Sequence, residues 1–210
     1  MNDCMSDNKI DSTADSLSDD LDYKCIIEKI YSEVLQLPNS GEAADYIPEL
    51  SLVDSNQLAV CLFKNDGSLF YAGDWEVRFS IQSVVKVLTL CLAYQKLGSD
   101  IWDRVGVEPS GTPFNSLGYL EHENGVPRNP FSNAGALVVC DVLMGLYEDP
   151  LAVVLETVRS ATDNQNIQVN AKIASSEKSE GYRNVALANL IKSLGNIHHD
   201  VDALLDSYFD

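Results

Sequence analysis

Basic residues are scarce in this chain: 14 Lys and Arg stand against 32 Asp and Glu, a formal net charge of −18. Affinity for a nucleic-acid backbone rests largely on Lys and Arg displacing counterions, so this balance excludes DNA or RNA as a partner. Long apolar runs are lacking too. The longest mainly apolar stretch, residues 84–94, is too short to span a bilayer and contains Lys86, so no membrane partner is expected. The opening MNDCMSDNKIDSTADSLSDD has no apolar core and carries mostly acidic charge where a signal peptide carries basic charge, which makes the cytoplasm the default compartment. Close cysteine pairs are missing. Cys4, Cys25, Cys61, Cys91 and Cys140 are scattered and odd in number, unlike a zinc site or a redox motif, and read as reduced, mostly structural thiols. His198 and His199 have no third ligand at a sensible spacing, so no metal is expected and the pair reads as capping or packing.

What is present suffices for a substantial core: of 210 residues, 45% are apolar and 22% charged, which favours one globular domain over disorder. Residues 1–22 are rich in Asp and Ser and poor in large apolar side chains, the composition of a disordered acidic tail, leaving residues 23–210 as the folded part. Apolar positions at Ile26, Ile27, Ile30, Tyr31, Val34 and Leu35 predict an amphipathic helix within residues 21–37. Residues 58–63 and 68–72 are short β-prone runs flanking Lys64-Asn65-Asp66-Gly67, a hairpin signature. Residues 83–97 read as a helix closed by Gly98 and, being apolar nearly all round, as a buried central one. Further helices are expected at about 134–147, 150–160, 182–194 and 199–209, after a long loop rich in Gly, Pro and Asn at 106–130.

Ser83 and Lys86 form an S-x-x-K pair at the start of that apolar helix, and a spacing of three puts both side chains on one face. A neutral lysine amine in that position can take the serine proton; desolvation and the positive end of the helix dipole both disfavour the ammonium form. The Ser83 backbone N–H offers one donor to a tetrahedral oxyanion. The motif fixes only two positions, and Ser6 with Lys9 and Ser175 with Lys178 match it equally well. Those two lie in polar surroundings where nothing shifts a lysine, so Ser83 alone has a suitable setting.

The run Phe79-Ser80-Ile81-Gln82-Ser83-Val84-Val85-Lys86-Val87 closely resembles the signature of the glutaminase family, serine hydrolases of the β-lactamase-like superfamily. Further matches follow in family order: Ala44-Asp45-Tyr46-Ile47-Pro48-Glu49-Leu50, then Arg104 to Gly111 with Pro113 to Ser116, Gly125 to Pro130, Asn133-Ala134-Gly135-Ala136, Glu177 to Asn184, and Gly195-Asn196-Ile197-His198-His199-Asp200. The resemblance implies an α+β fold of the β-lactamase/transpeptidase-like type, a helix cluster with an antiparallel sheet that is incomplete in this chain. It implies that Ser83 is the nucleophile, Lys86 its general base and Tyr46 a proton relay, with Ser83, Asn133, Glu177, Asn184 and Tyr208 binding substrate. The implied reaction is hydrolysis of L-glutamine to L-glutamate and ammonia through a serine acyl-enzyme, without metal or cofactor. A homo-oligomer, dimer or tetramer, is the implied assembly.

Two departures from the family pattern stand out. Ser132 occupies a position that is usually apolar. Family members also continue beyond the position of Asp210, through further helices and a K-S-G-x-x-G-G stretch into sheet strands, so the domain over 23–210 is expected to lack its C-terminal part. The alternative is therefore a catalytically inactive, glutaminase-like binding or regulatory protein. Penicillin-interacting hydrolases also use S-x-x-K, but the chain has no K-T-G, and its only S-D-N, at Ser6 to Asn8, precedes Ser83.

Overall fold

The computed structural model describes residues 22–109, 111, 113–114 and 116–210; the expected acidic tail, apart from Asp22, lies outside them. The chain divides into two compact units.

One unit takes residues 22–43 and Val53–Phe79. Helix α1, Tyr23–Leu35, starts where the Asp22 side chain accepts a hydrogen bond from the Cys25 N–H, satisfying one of the orphan donors of a helix start. Strands β1, Ala59–Phe63, and β2, Leu69–Gly73, pair antiparallel, with Phe63 opposite Leu69 and Ala59 opposite Gly73. The expected hairpin turn joins them: Gly67 takes a φ of 87° and Asp66 accepts from both the N–H and the hydroxyl of Ser68. Burial alternates along both strands, and α1 covers one face through Ile27 and the Tyr23–Phe70 ring pair, whose centroids are 5.6 Å apart. The other face, with Phe63, Leu69 and Tyr71, is exposed.

The second unit takes Ala44–Leu52 and Ser80–Asp210. Its helices are α2, Val85–Leu97; α3, Asn133–Leu146; α4, Pro150–Thr162; α5, Ala171–Glu180; α6, Tyr182–Ser193; and α7, Val201–Phe209. The central helix is α3 rather than the α2 region that composition favours. Nine of the 14 residues of α3 are buried, against three of the 13 in α2. The reason is packing partners: α3 lies against α2, α4, α6 and α7 and is shared by two apolar clusters. One cluster joins Leu137 and Val138 to Leu187, Ile191 and Leu204; the other joins Val139, Val142 and Leu143 to Leu92, Ile101 and Val105. Truncating a fully buried leucine of this kind costs about 2–5 kcal/mol. On α2, Val84 before its start and Val87 and Tyr94 within it are exposed.

Helix α5 falls where the sequence suggests a polar stretch. Asn170 starts it, accepting from the N–H groups of Lys172 and Ile173, and α7 packs against it. Ser132 caps α3: its hydroxyl accepts from the Gly135 N–H at 3.2 Å. Gly135 itself is required, because a Cβ there would overlap the Asn129 carbonyl and Pro130.

Candidate active site

All seven positions that the resemblance singles out lie in the second unit. Ser83 sits in a short 3₁₀ turn, Gln82–Val84, that leads directly into α2, and its side chain is exposed. Neither the turn nor α2 has a side-chain N-cap; the Val84 N–H donates to the Ile81 carbonyl and the Val85 N–H to that of Gln82, so the donor this turn leaves for an anion is the Ser83 N–H. Lys86, in the first turn of α2, is the contrast: it is only 7% exposed.

Lys86 Nζ donates to the Phe131 carbonyl at 3.2 Å and to Asn133 Oδ1 at 2.8 Å. Asn133 Nδ2 in turn donates to Asn184 Oδ1 at 2.9 Å. An ammonium group only donates, so it orients the Asn133 amide, and that orients the buried Asn184 with its own amide nitrogen left for a ligand. Burial lowers the Lys86 pKa from the ordinary 10.5, against the opposing pull of the Glu177 carboxylate. A neutral amine has two N–H bonds, and the two acceptors present, Phe131 O and Asn133 Oδ1, occupy both. Its lone pair is thereby left for a proton arriving from elsewhere.

Glu177 projects from α5 and is half-buried. Burial raises its pKa, while the Lys86 charge and a hydrogen bond from the Gln82 side chain work in the other direction. Tyr208 on α7 is close enough for the Glu177 charge to add to burial in raising the phenol pKa. Lys86, Asn133, Asn184, Glu177 and Tyr208 thus share one polar locus walled by α2, α3, α5, α6 and α7.

Two expected relationships are not formed as hydrogen bonds among the described residues: neither Ser83 with Lys86 nor Tyr46 with Ser83 is paired. The Tyr46 side chain is 67% exposed, and the neighbouring Ile47, 2% exposed, anchors the segment in its place. That segment is tied to α5 by the Glu49 N–H, which donates to Ser176 Oγ at 3.3 Å, one residue from Glu177. The competing S-x-x-K pair of Ser175 and Lys178 is exposed on α5, where Lys178 is committed to Asp206. The pair of Ser6 and Lys9 lies outside the described residues.

Gln82 belongs to this locus and was not singled out from the sequence. Its φ of 45° is in the left-handed region, costly for a residue with a Cβ, and its amide donates to Ser80 Oγ at 2.9 Å as well as meeting Glu177. Its place immediately before Ser83 was the available signal.

The mixed helical and antiparallel architecture is of the β-lactamase-like class, with an exposed serine turn leading into a helix whose first turn carries a buried lysine. The family model described as Glutaminase matches residues 41–210, and the chain belongs to the glutaminase family. It is 50% identical over 189 residues to the glutaminase of Christiangramia forsetii, covering 90% of this chain and 62% of that protein. Against glutaminase 2 of Escherichia coli strain K12 it is 49% identical over 185 residues, covering 88% and 60%. Among solved structures, the probable glutaminase ybaS superposes with a TM-score of 0.82 at 30% identity, over 89% of this chain and 60% of that one. A probable glutaminase from Bacillus subtilis complexed with 6-diazo-5-oxo-L-norleucine superposes with a TM-score of 0.71 at 29% identity, over 86% and 54%. The chain therefore spans about 62% of the length of the curated relatives it matches.

Proposed function

We propose that this chain hydrolyses the side-chain amide of L-glutamine to L-glutamate and ammonia. The observation that carries the reading is Lys86: a buried amine whose two N–H bonds have acceptors, one helical turn from an exposed serine. Ser83 Oγ attacks the amide carbon as its proton passes to Lys86 Nζ, directly or through Tyr46. The developing oxyanion is met by the Ser83 N–H in the turn that leads into α2. Collapse of the tetrahedral species breaks the C–N bond, and the amide nitrogen leaves as ammonia with the proton from Lys86. Water then attacks the glutamyl ester, gives its proton to Lys86, and releases glutamate as Ser83 recovers its own.

Glutamine suits the remaining groups. Glu177 pairs with the α-ammonium, the Asn184 amide donates to the α-carboxylate, Asn133 couples both to the lysine, and the Tyr208 hydroxyl closes the polar end. Family resemblance extends the reading to a homo-oligomer, dimer or tetramer. Cys61, Cys91 and Cys140 are free thiols, which fits a reducing cytoplasm.

The test is ammonia release from L-glutamine by the purified chain, with Ser83→Ala as control and L-asparagine as competing substrate. Glutamine-selective release that Ser83→Ala abolishes supports the reading. Glutamine binding by a folded chain without release would support the non-catalytic alternative instead.

A further inference from the structure

Asp141 sits in the middle of α3, eight residues beyond Asn133, which places it about 12 Å along the helix from the site at 1.5 Å per residue. It is an acidic side chain 1% exposed in the most buried helix of the unit. Both of its oxygens are engaged. Oδ2 accepts from Arg104 Nη2 at 2.8 Å, and Oδ1 accepts from the backbone N–H groups of His198 and His199, each at 2.9 Å, with the His199 ring nitrogen also at 2.9 Å.

Those two N–H groups belong to the turn that joins α6 to α7. The same turn is held from other sides. Asn196 receives Arg104 Nε at 2.6 Å on its side-chain oxygen and donates to the carbonyls of Arg104 and Gly125. Lys192 Nζ donates to the carbonyls of His198 and His199 at 3.0 and 2.9 Å. Helix α6 carries Asn184, bonded to Asn133, and α7 carries Tyr208 beside Glu177. The angle at this elbow therefore decides whether Asn184 and Tyr208 meet the α3 start together.

We propose that Asp141 is a positioning residue, holding the α6–α7 elbow against α3 so that Asn184 and Tyr208 stand in register with Asn133 around the substrate. The inference rests on the glutamine reading for its consequence in turnover, but not for its structural part. A buried carboxylate is a costly way merely to fill space, whereas one that accepts two adjacent backbone N–H groups and a guanidinium fixes a turn in both position and orientation.

The test compares Asp141→Asn, Asp141→Ala and Lys192→Met with the unchanged chain, in glutamine kinetics and in amide hydrogen exchange. Asparagine keeps an oxygen for the two N–H groups but loses the Arg104 charge pair. Lys192→Met, at an exposed side chain, releases the same turn without touching Asp141 and carries the test if Asp141→Ala does not fold. Expected are faster exchange confined to residues 182–209 with α4 unaffected, and a KM raised on the order of tenfold to a hundredfold while kcat stays within about threefold. The order of effect is Ala, then Asn, with Lys192→Met changed in the same direction. A residue that only stabilises the fold would lower activity in proportion to the folded fraction and leave KM alone, and that result overturns the proposal. Exchange that is unchanged over residues 182–209, or raised uniformly along the chain, overturns it as well. If the unchanged chain does not turn over glutamine, the glutamine reading falls, while loosening confined to α6 and α7 still upholds the role of Asp141.

Discussion

Lys86 Nζ donates to Asn133 Oδ1 at 2.8 Å, so the proposed general base and a proposed substrate-binding residue are one hydrogen-bonded unit. A change at Asn133 should therefore appear in the pH dependence as well as in affinity. Asn133→Asp places a second carboxylate against the amine and favours the ammonium form. The limb of the pH–rate profile governed by Lys86 is expected to move to higher pH, with activity at neutral pH falling, as pH-dependent ammonia release would record. An unmoved limb would separate the lysine from catalysis.

Glu177 acts on the same amine through its charge. Its charge raises the Lys86 pKa against the lowering by burial. Glu177→Gln removes that opposition, so the Lys86 limb should move to lower pH, further below the ordinary 10.5, while KM for glutamine rises from loss of the ammonium partner. Opposite displacements in Asn133→Asp and Glu177→Gln are the signature of one shared lysine.

Ser132→Ala removes the hydroxyl that caps α3 and should cost about 1 kcal/mol in urea-induced unfolding. The loss is expected in stability first, since no ligand-facing group is altered.

Asp141 sets a stability dependence on the acid side. Burial, the largest influence, pushes its pKa up, but the His199 N–H, Arg104, the His199 ring and the His198 N–H together hold it below the ordinary 3.8. A folded value below the unfolded one contributes stability that is present above 3.8 and is lost as pH falls through the folded value. The stability gap between the unchanged chain and Asp141→Asn should therefore be wide at about pH 7 and shrink as pH falls below the ordinary 3.8, read from paired denaturant titrations.

Local signals carried much of the fold. Asn65, Asp66 and Gly67 between two β-prone runs specified the hairpin, and the ends of α3, α4 and α6 fell within a few residues of their apolar periodicity. Helix α5 was not legible because Ile173 is its only large apolar residue; its stability comes from the Asn170 cap and from packing on α7. Glu177, which it carries, could be assigned only through resemblance. The buried role of α3 over α2 was hidden for another reason: both helices are apolar all round, and only the tertiary arrangement decides which one acquires neighbours on every side. The Asp141 cluster joins residues 37, 57 and 58 positions apart, a separation no periodicity reveals. Ser83 and Lys86 were visible as a spacing, but the acceptors that leave the amine lone pair free, Phe131 and Asn133, lie 45 and 47 residues away.

The central claim is that Ser83 is a nucleophile served by Lys86. The most direct measurement is peptide mass spectrometry of the chain treated with 6-diazo-5-oxo-L-norleucine, a diazo ketone whose carbonyl occupies the place of the glutamine amide carbonyl. One covalent adduct on Ser83, absent in Ser83→Ala, greatly slowed in Lys86→Met and suppressed by excess L-glutamine, is the expected result. An adduct on another residue, or labelling at Ser83 that is indifferent to Lys86→Met and to glutamine, would contradict it.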